Sequence, residues 1–153
     1  MNIGIPQKNL EKITTVLNGI LSDTFVLYAK TRNYHWNVTG PNFSELHKFF
    51  EAQYETLDES MDETAERVRA LGGRAFGTLA EFVRETDLKE KPGTSPDAKT
   101  MIADLLSDHE TVIRKLRGAV EECDTKYGDA GTADFLTGLL EQHEKMAWML
   151  RSF

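Results

Sequence analysis

Two histidines bracket one turn in the stretch HWNVTGPNFSELHKFFE, residues 35–51, in a chain that contains only four. Glu51 stands four residues after His47, and the same spacing returns at Asp62 and Glu66. On a helix, residues four apart are surface neighbours, and imidazole with carboxylate is a donor set that suits a divalent transition metal. Cys123 is the single cysteine, so an internal disulfide and a thiolate zinc cluster are both excluded. Any metal has to be held by nitrogen and oxygen.

Positioning such ligands requires rigid elements, and the apolar periodicity supplies them. At 153 residues the chain is one domain's worth, 1–153, with 40% hydrophobic and 28% charged residues. Apolar residues recur at three and four along four long segments, and no segment alternates as a strand does. The first helix is expected over about 8–34, with Ile13, Leu17, Ile20, Leu21, Phe25 and Tyr28 inward. Gly40-Pro41 ends it, and Asn42 with Glu45 caps the second helix, which starts near Phe43. That helix buries Leu46, Phe50, Gln53, Leu57, Met61, Thr64, Val68 and Leu71 before Gly72-Gly73 stops it. Thr78-Leu-Ala-Glu81 reads as a capping box opening a brief helix. Ser95-Pro96-Asp97 then offers a cap, a first-turn proline and a favourable charge for the third long helix, with Ile102, Leu105, His109, Val112, Leu116, Ala119 and Cys123 inward. Gly128 and Gly131 bracket an acidic turn, and the last helix turns Leu136, Leu139, Leu140, His143, Met146, Ala147 and Leu150 inward. Two short connections and one long one predict an all-α protein, a ferritin-like antiparallel four-helix bundle with a short extra helix in its crossover.

Such bundles carry an internal dinuclear site on paired Glu-x-x-His motifs, and this sequence has none. His109 and His143 lie on apolar stripes, where a hydrogen-bonded core histidine is the expected state. The second helix is different, because both i, i+4 pairs fall on one flank of it. His47 and Glu66 are nevertheless about 28 Å apart along the axis, too far to share an ion. Two antiparallel copies related by a two-fold centred between Thr56 and Leu57 would set His47 and Glu51 of one chain against Glu66 and Asp62 of the other. His35 would then join from the same chain as His47. The alternative account is a plain acidic solvated face, since Glu55, Asp58, Glu59 and Glu63 share this helix.

The formal net charge is −7 and no basic tail is present, which disfavours binding to nucleic acid or anionic lipid. With no signal-like start and no span-length apolar run, a cytoplasmic location is expected, with no membrane partner.

Across residues 8–151 the chain resembles the Dps family of mini-ferritins. The resemblance is carried by Lys30-Thr-Arg-Asn-Tyr-His35-Trp-Asn-Val-Thr-Gly40, by Asn42-Phe and Leu46-His47, and by Asp62-Glu-Thr-Ala-Glu66-Arg67. It implies that His35, His47, Glu51, Asp62 and Glu66 are the catalytic and metal-binding residues of a ferroxidase centre at a two-fold interface; the position of Glu51 is often Asp in the family. It further implies a homo-oligomeric shell of twelve chains that oxidises Fe(II), preferentially with hydrogen peroxide, and stores ferric mineral, protecting DNA from oxidative damage. Iron is the implied metal, with zinc the alternative occupant of the resting site. Asp129 and Asp134 match acidic positions that line iron-admitting pores, although Asp129 in a solvated turn and Asp134 at a helix start would serve the local structure equally. Tyr34 and Trp36, flanking His35, could take up stray oxidising equivalents or simply anchor the helix end. The lysine-rich tail of DNA-binding members is missing, and twelve chains would carry about −84, twelve times −7. The competing readings are a nucleoid-compacting protein with an incidental iron site and a shell that has lost its metal chemistry.

Overall fold

The computed structural model describes residues 2–153, so of the expected span only Met1 lies outside the described residues. Four long helices, α1 (Gln7–Asn37), α2 (Phe43–Ala70), α4 (Ala98–Glu121) and α5 (Ala130–Arg151), make the bundle, with a short α3 (Leu79–Glu85) in the crossover. Cross-links between helices give the topology. Tyr34 bonds to Asp104, Lys30 pairs with Asp108 and Lys115 pairs with Asp23, so α1 and α4 run antiparallel. Gln53 reaches the carbonyl of Met146, Ser60 reaches Gln142 and Arg67 reaches Thr132, so α2 and α5 do too. The helices α2 and α4 are therefore parallel, and the connection from residue 71 to 97 has to cross the length of the bundle.

The stripes read from the sequence close on one core from Leu10 to Leu150, in which Ile13, Leu17, Phe50, Leu57, Leu105, Leu116 and Leu136 lose essentially all exposure. Burial of this kind contributes about 25 cal/mol per Å2 of apolar surface and outweighs any single polar contact. All eight residues assigned to the α2 stripe are buried, whereas Phe25 and Tyr28 of α1 and Ile102 of α4 are only half so. The crossover is pinned by a buried carboxylate: Asp23 accepts from the Lys115 ammonium (2.6 Å), the Thr86 hydroxyl (2.8 Å) and the Asp87 amide (2.7 Å).

Several boundaries differ from the sequence reading. The first helix continues to Asn37, so His35 lies within its last turn rather than just after it, and the buried Val38 bonds its amide to the Tyr34 carbonyl as the chain leaves. Asn42 occupies the cap position of α2 but its side chain makes no capping bond; the Phe43 amide instead closes onto the Gly40 carbonyl. Gly40 has φ of 114°, a conformation open to glycine and strained for other residues. Asp97, not Ser95, caps α4 by accepting from the Thr100 amide at 2.8 Å, which leaves Pro96 outside the helix. The capping box of Thr78 and Glu81 forms as read. An unforeseen π-helical turn, Glu122–Lys126, follows α4, with the Tyr127 amide bonded to the Glu122 carbonyl at 3.0 Å. This wider turn keeps Cys123 buried and brings Asp129 to the start of α5, and Gly131 falls inside that helix rather than in the turn.

Candidate metal centre

The motif around His35 does two jobs at helical spacing. Lys30 and Tyr34, four residues apart, face α4: the buried ammonium pairs with Asp108 and donates to the Lys89 carbonyl (2.9 Å), while the Tyr34 hydroxyl donates to Asp104 (2.9 Å). Burial, then that hydrogen bond to Asp104, pushes the Tyr34 phenol well above its usual range. One residue later the helix has turned, and His35 faces α2 instead.

There the rings of His35 and His47 stack with centroids 3.7 Å apart and planes 20° from parallel. Nδ1 of His35 bonds to the His47 carbonyl at 2.7 Å, and Nδ1 of His47 bonds to the His35 carbonyl at 2.8 Å. A carbonyl only accepts, so each Nδ1 carries the proton and Nε2 is the nitrogen left to meet a metal. This is the tautomer a metal-binding imidazole needs, and a backbone carbonyl on the far nitrogen is the usual way of setting it. Glu51, one turn along α2, is half-buried and receives the Tyr54 hydroxyl at 3.4 Å.

Asp62 and Glu66 do not join this group within one chain. Both are exposed on the far half of α2, and Asp62 lines a shallow groove floored by Leu21, Phe25, Met61 and Phe82. Among the described residues, no three histidine, cysteine or acidic side chains of one chain come close enough to hold an ion.

Sequence reasoning missed Tyr54 and Arg32. Tyr54 sits edge-on to His35, with centroids 5.2 Å apart, and Arg32 lies 4.5 Å over the Tyr54 ring while its guanidinium donates to the Tyr28 hydroxyl. The signal was available, since Tyr54 is seven residues after His47 and three after Glu51, on the same face of α2. Trp36 is 65% exposed and also packs against Arg32.

The two pore candidates part company. Asp129 is buried rather than in a solvated turn: it caps α5 by accepting from the Thr132 amide (2.9 Å), takes the Thr132 hydroxyl, and lies 3.4 Å from Arg67. Asp134 is exposed, one turn into α5. Asp129→Ala should therefore cost about 0.5–2 kcal/mol, the range for a lost cap, read as a lower urea midpoint. Asp134→Ala should leave the midpoint within about 0.5 kcal/mol.

His109 and His143 meet in the core as a hydrogen-bonded pair, Nδ1 to Nδ1 at 3.0 Å, with 0% and 1% exposure and no protein partner on either Nε2. Burial first, then the neighbouring imidazole, holds His109 well below the usual histidine range, and burial alone brings His143 down to about 4.

A four-helix bundle with a crossover between its second and third long helices, carrying a histidine and carboxylate set on its surface, defines the ferritin-like class. The ferritin-like domain family matches residues 14–153. A low temperature-induced protein of Nostoc sp. is 47% identical over the whole chain and 86% of its own length. DNA protection during starvation protein 2 of Bacillus anthracis is 34% identical, over 94% of this chain and 97% of its own. The Dps protein of Vibrio cholerae, described as a member of a broad superfamily of ferritin-like diiron-carboxylate proteins, superposes with a TM-score of 0.93 at 30% identity, covering 99% of this chain and 94% of that one. The chain belongs to the Dps family.

Proposed function

We propose that the protein is a ferroxidase and iron store whose dinuclear site forms only between two copies of the chain. The observation that carries this reading is the reciprocal clasp of His35 and His47, which holds both imidazoles in the metal-binding tautomer. A two-fold axis between residues 56 and 57 of paired α2 helices would bring Asp62 and Glu66 of the second copy to that clasp and cover the neighbouring groove, whose apolar floor is rimmed by Glu55, Asp58 and Glu59. Burial of the groove would hold the dimer, and the carboxylates would offset the charge of the bound iron.

Two imidazoles with Glu51, Asp62 and Glu66 suit ferrous and ferric iron and leave positions for peroxide or water. Hydrogen peroxide is the preferred oxidant in this reading, because one molecule takes one electron from each of two ferrous ions and is reduced to water. The ferric product is stored inside a shell of twelve chains, with Asp134 in the channels that admit iron. Protection of DNA, the role in the name of the Bacillus anthracis relative, follows from withdrawing iron and peroxide together. With a charge of −7 per chain, contact with DNA is not needed for it and is opposed by counterion physics.

The test is anaerobic loading with Fe(II) followed by half an equivalent of hydrogen peroxide, monitored as ferric absorbance. Wild-type protein should oxidise the iron within seconds and stay soluble, and zinc added first should slow it, since zinc takes the same donors. Asp62→Ala with Glu66→Ala should fall to the buffer rate. Equal rates for wild type, variant and buffer would leave the acidic flank of α2 as a solvated surface.

A further inference from the structure

Arg67 stands next to Glu66 in the sequence, and we infer that it is a positioning residue for the metal centre: its grip on the start of α5 sets the angle at which α2 presents Asp62 and Glu66 to the histidines of a second copy. The inference rests on the ferroxidase reading. Both carboxylates are exposed, so the helix that carries them decides where they stand. Consecutive residues of a helix point about 100° apart, and Arg67 accordingly faces α5 while Glu66 faces the flank. Nε and Nη2 of Arg67 both donate to the Thr132 hydroxyl oxygen, at 3.1 and 2.9 Å, and Nη2 lies 3.4 Å from Oδ1 of Asp129. The acceptors are themselves fixed: Thr132 and Asp129 are buried, and Asp129 takes both the amide and the hydroxyl of Thr132. Room for the guanidinium comes from Gly131, where a Cβ would lie 3.2 Å from Nη2.

Two polar links bracket the ligand pair. Ser60 reaches Gln142 and Arg67 reaches Thr132, about two turns apart on α2, with Asp62 and Glu66 between them. A single tie lets the helix end swing and twist about it; a second tie two turns on removes that freedom. Val68 and Leu71 also hold this end of α2 to the core, but apolar burial has no direction, whereas the guanidinium fork has a fixed geometry. Arg67 itself touches no metal. Its effect reaches the centre through the backbone of α2 and falls most on Glu66, the adjacent ligand.

The experiment titrates the assembled protein with Co(II), whose visible absorption reports the geometry of its ligands. Wild type is compared with Arg67→Met and with Thr132→Val, which breaks the same link from the α5 side and leaves α2 unaltered. Light scattering checks that each variant keeps the wild-type mass. Both variants should bind Co(II) about tenfold more weakly, the lower end of the range for lost supporting contacts around a metal site, and their visible band should shift. Arg67→Lys, which keeps the charge opposite Asp129, should recover part of the affinity. Variants that only lower the urea midpoint, with the Co(II) affinity and band of the wild type, overturn the role of Arg67 and leave its contacts as ordinary structural ones. Should Arg67→Met fail to assemble, Thr132→Val decides by the same two readouts. A wild-type Co(II) band that survives Asp62→Ala with Glu66→Ala removes the two-copy centre, and this role with it.

Discussion

Two inactive variants should restore each other. A chain bearing His35→Ala and His47→Ala, and another bearing Asp62→Ala and Glu66→Ala, should each oxidise Fe(II) with peroxide no faster than buffer. Unfolded together and refolded in equal amounts, they should recover about a quarter of the wild-type rate, because half of the dimers are mixed and each mixed dimer holds one centre with every ligand and one with few. The distance along α2 drives this expectation: about 28 Å separates His47 from Glu66 on one straight helix, and neither side chain spans more than a fraction of it. Ferric absorbance of the mixture against each variant alone is the measurement. No recovery in a mixture shown to contain mixed dimers would mean that one chain supplies all the ligands or that the copies pair differently.

Acid should unfold the bundle through its core. Both His109 and His143 are neutral in the folded chain, because burial disfavours the charged imidazole and the only titrating group acting on His109 is the other ring. The carboxylates nearest along these helices are already engaged, Asp108 with Lys30 and Glu144 with Arg117. The folded value lies below the unfolded one, so between pH 6.5 and about 4 the unfolded chain binds protons that the folded chain excludes. The contribution of His143 is thus complete above pH 6.5, falls as the pH drops through that window and levels off below it, while His109, held well below the usual range, continues the loss in the same direction. His143 alone accounts for about 3 kcal/mol of this loss. Replacing both residues by leucine should move the acid midpoint, followed by far-UV circular dichroism, down by a pH unit or more. Glu81, which its hydrogen bond to Arg74 brings to about 2, sheds its share mostly below pH 4.5 and does not mask the shift. An unchanged midpoint in the leucine variant would assign acid unfolding to the surface carboxylates.

The helices were legible because their signal is redundant. Eight stripe positions on α2 point the same way, and no single error among them moves the helix. The ends were less so, since each depends on one or two bonds: the helix starts late enough for Asp97 to take the Thr100 amide, and Asn42 left its cap unused. The π-helical turn had no pattern to announce it, because one extra residue in a turn leaves the apolar spacing on either side intact. For the candidate centre, residue types and spacing pointed to His35, His47, Glu51, Asp62 and Glu66, and of these one chain brings only His35 and His47 into contact. The reciprocal hydrogen bonds were beyond reach, as they join side chain to backbone across a turn whose path the sequence does not state. The core pair of His109 and His143 was expected as hydrogen-bonded interior histidines, though not as partners of each other.

The mutual hold of His35 and His47 also affects how readily an ion is captured. Freezing two imidazole side chains on binding would cost about 0.5–1.5 kcal/mol each in lost rotamer freedom. Here folding has already frozen them, so that entropy is not lost again when metal arrives. Each ring is held by the backbone of the other helix, which makes the five residues between α1 and α2 a tensioning link. Gly40, with its positive φ, sits in that link and touches no ligand. A bulkier residue there would slacken both rings together and weaken capture without altering one donor atom.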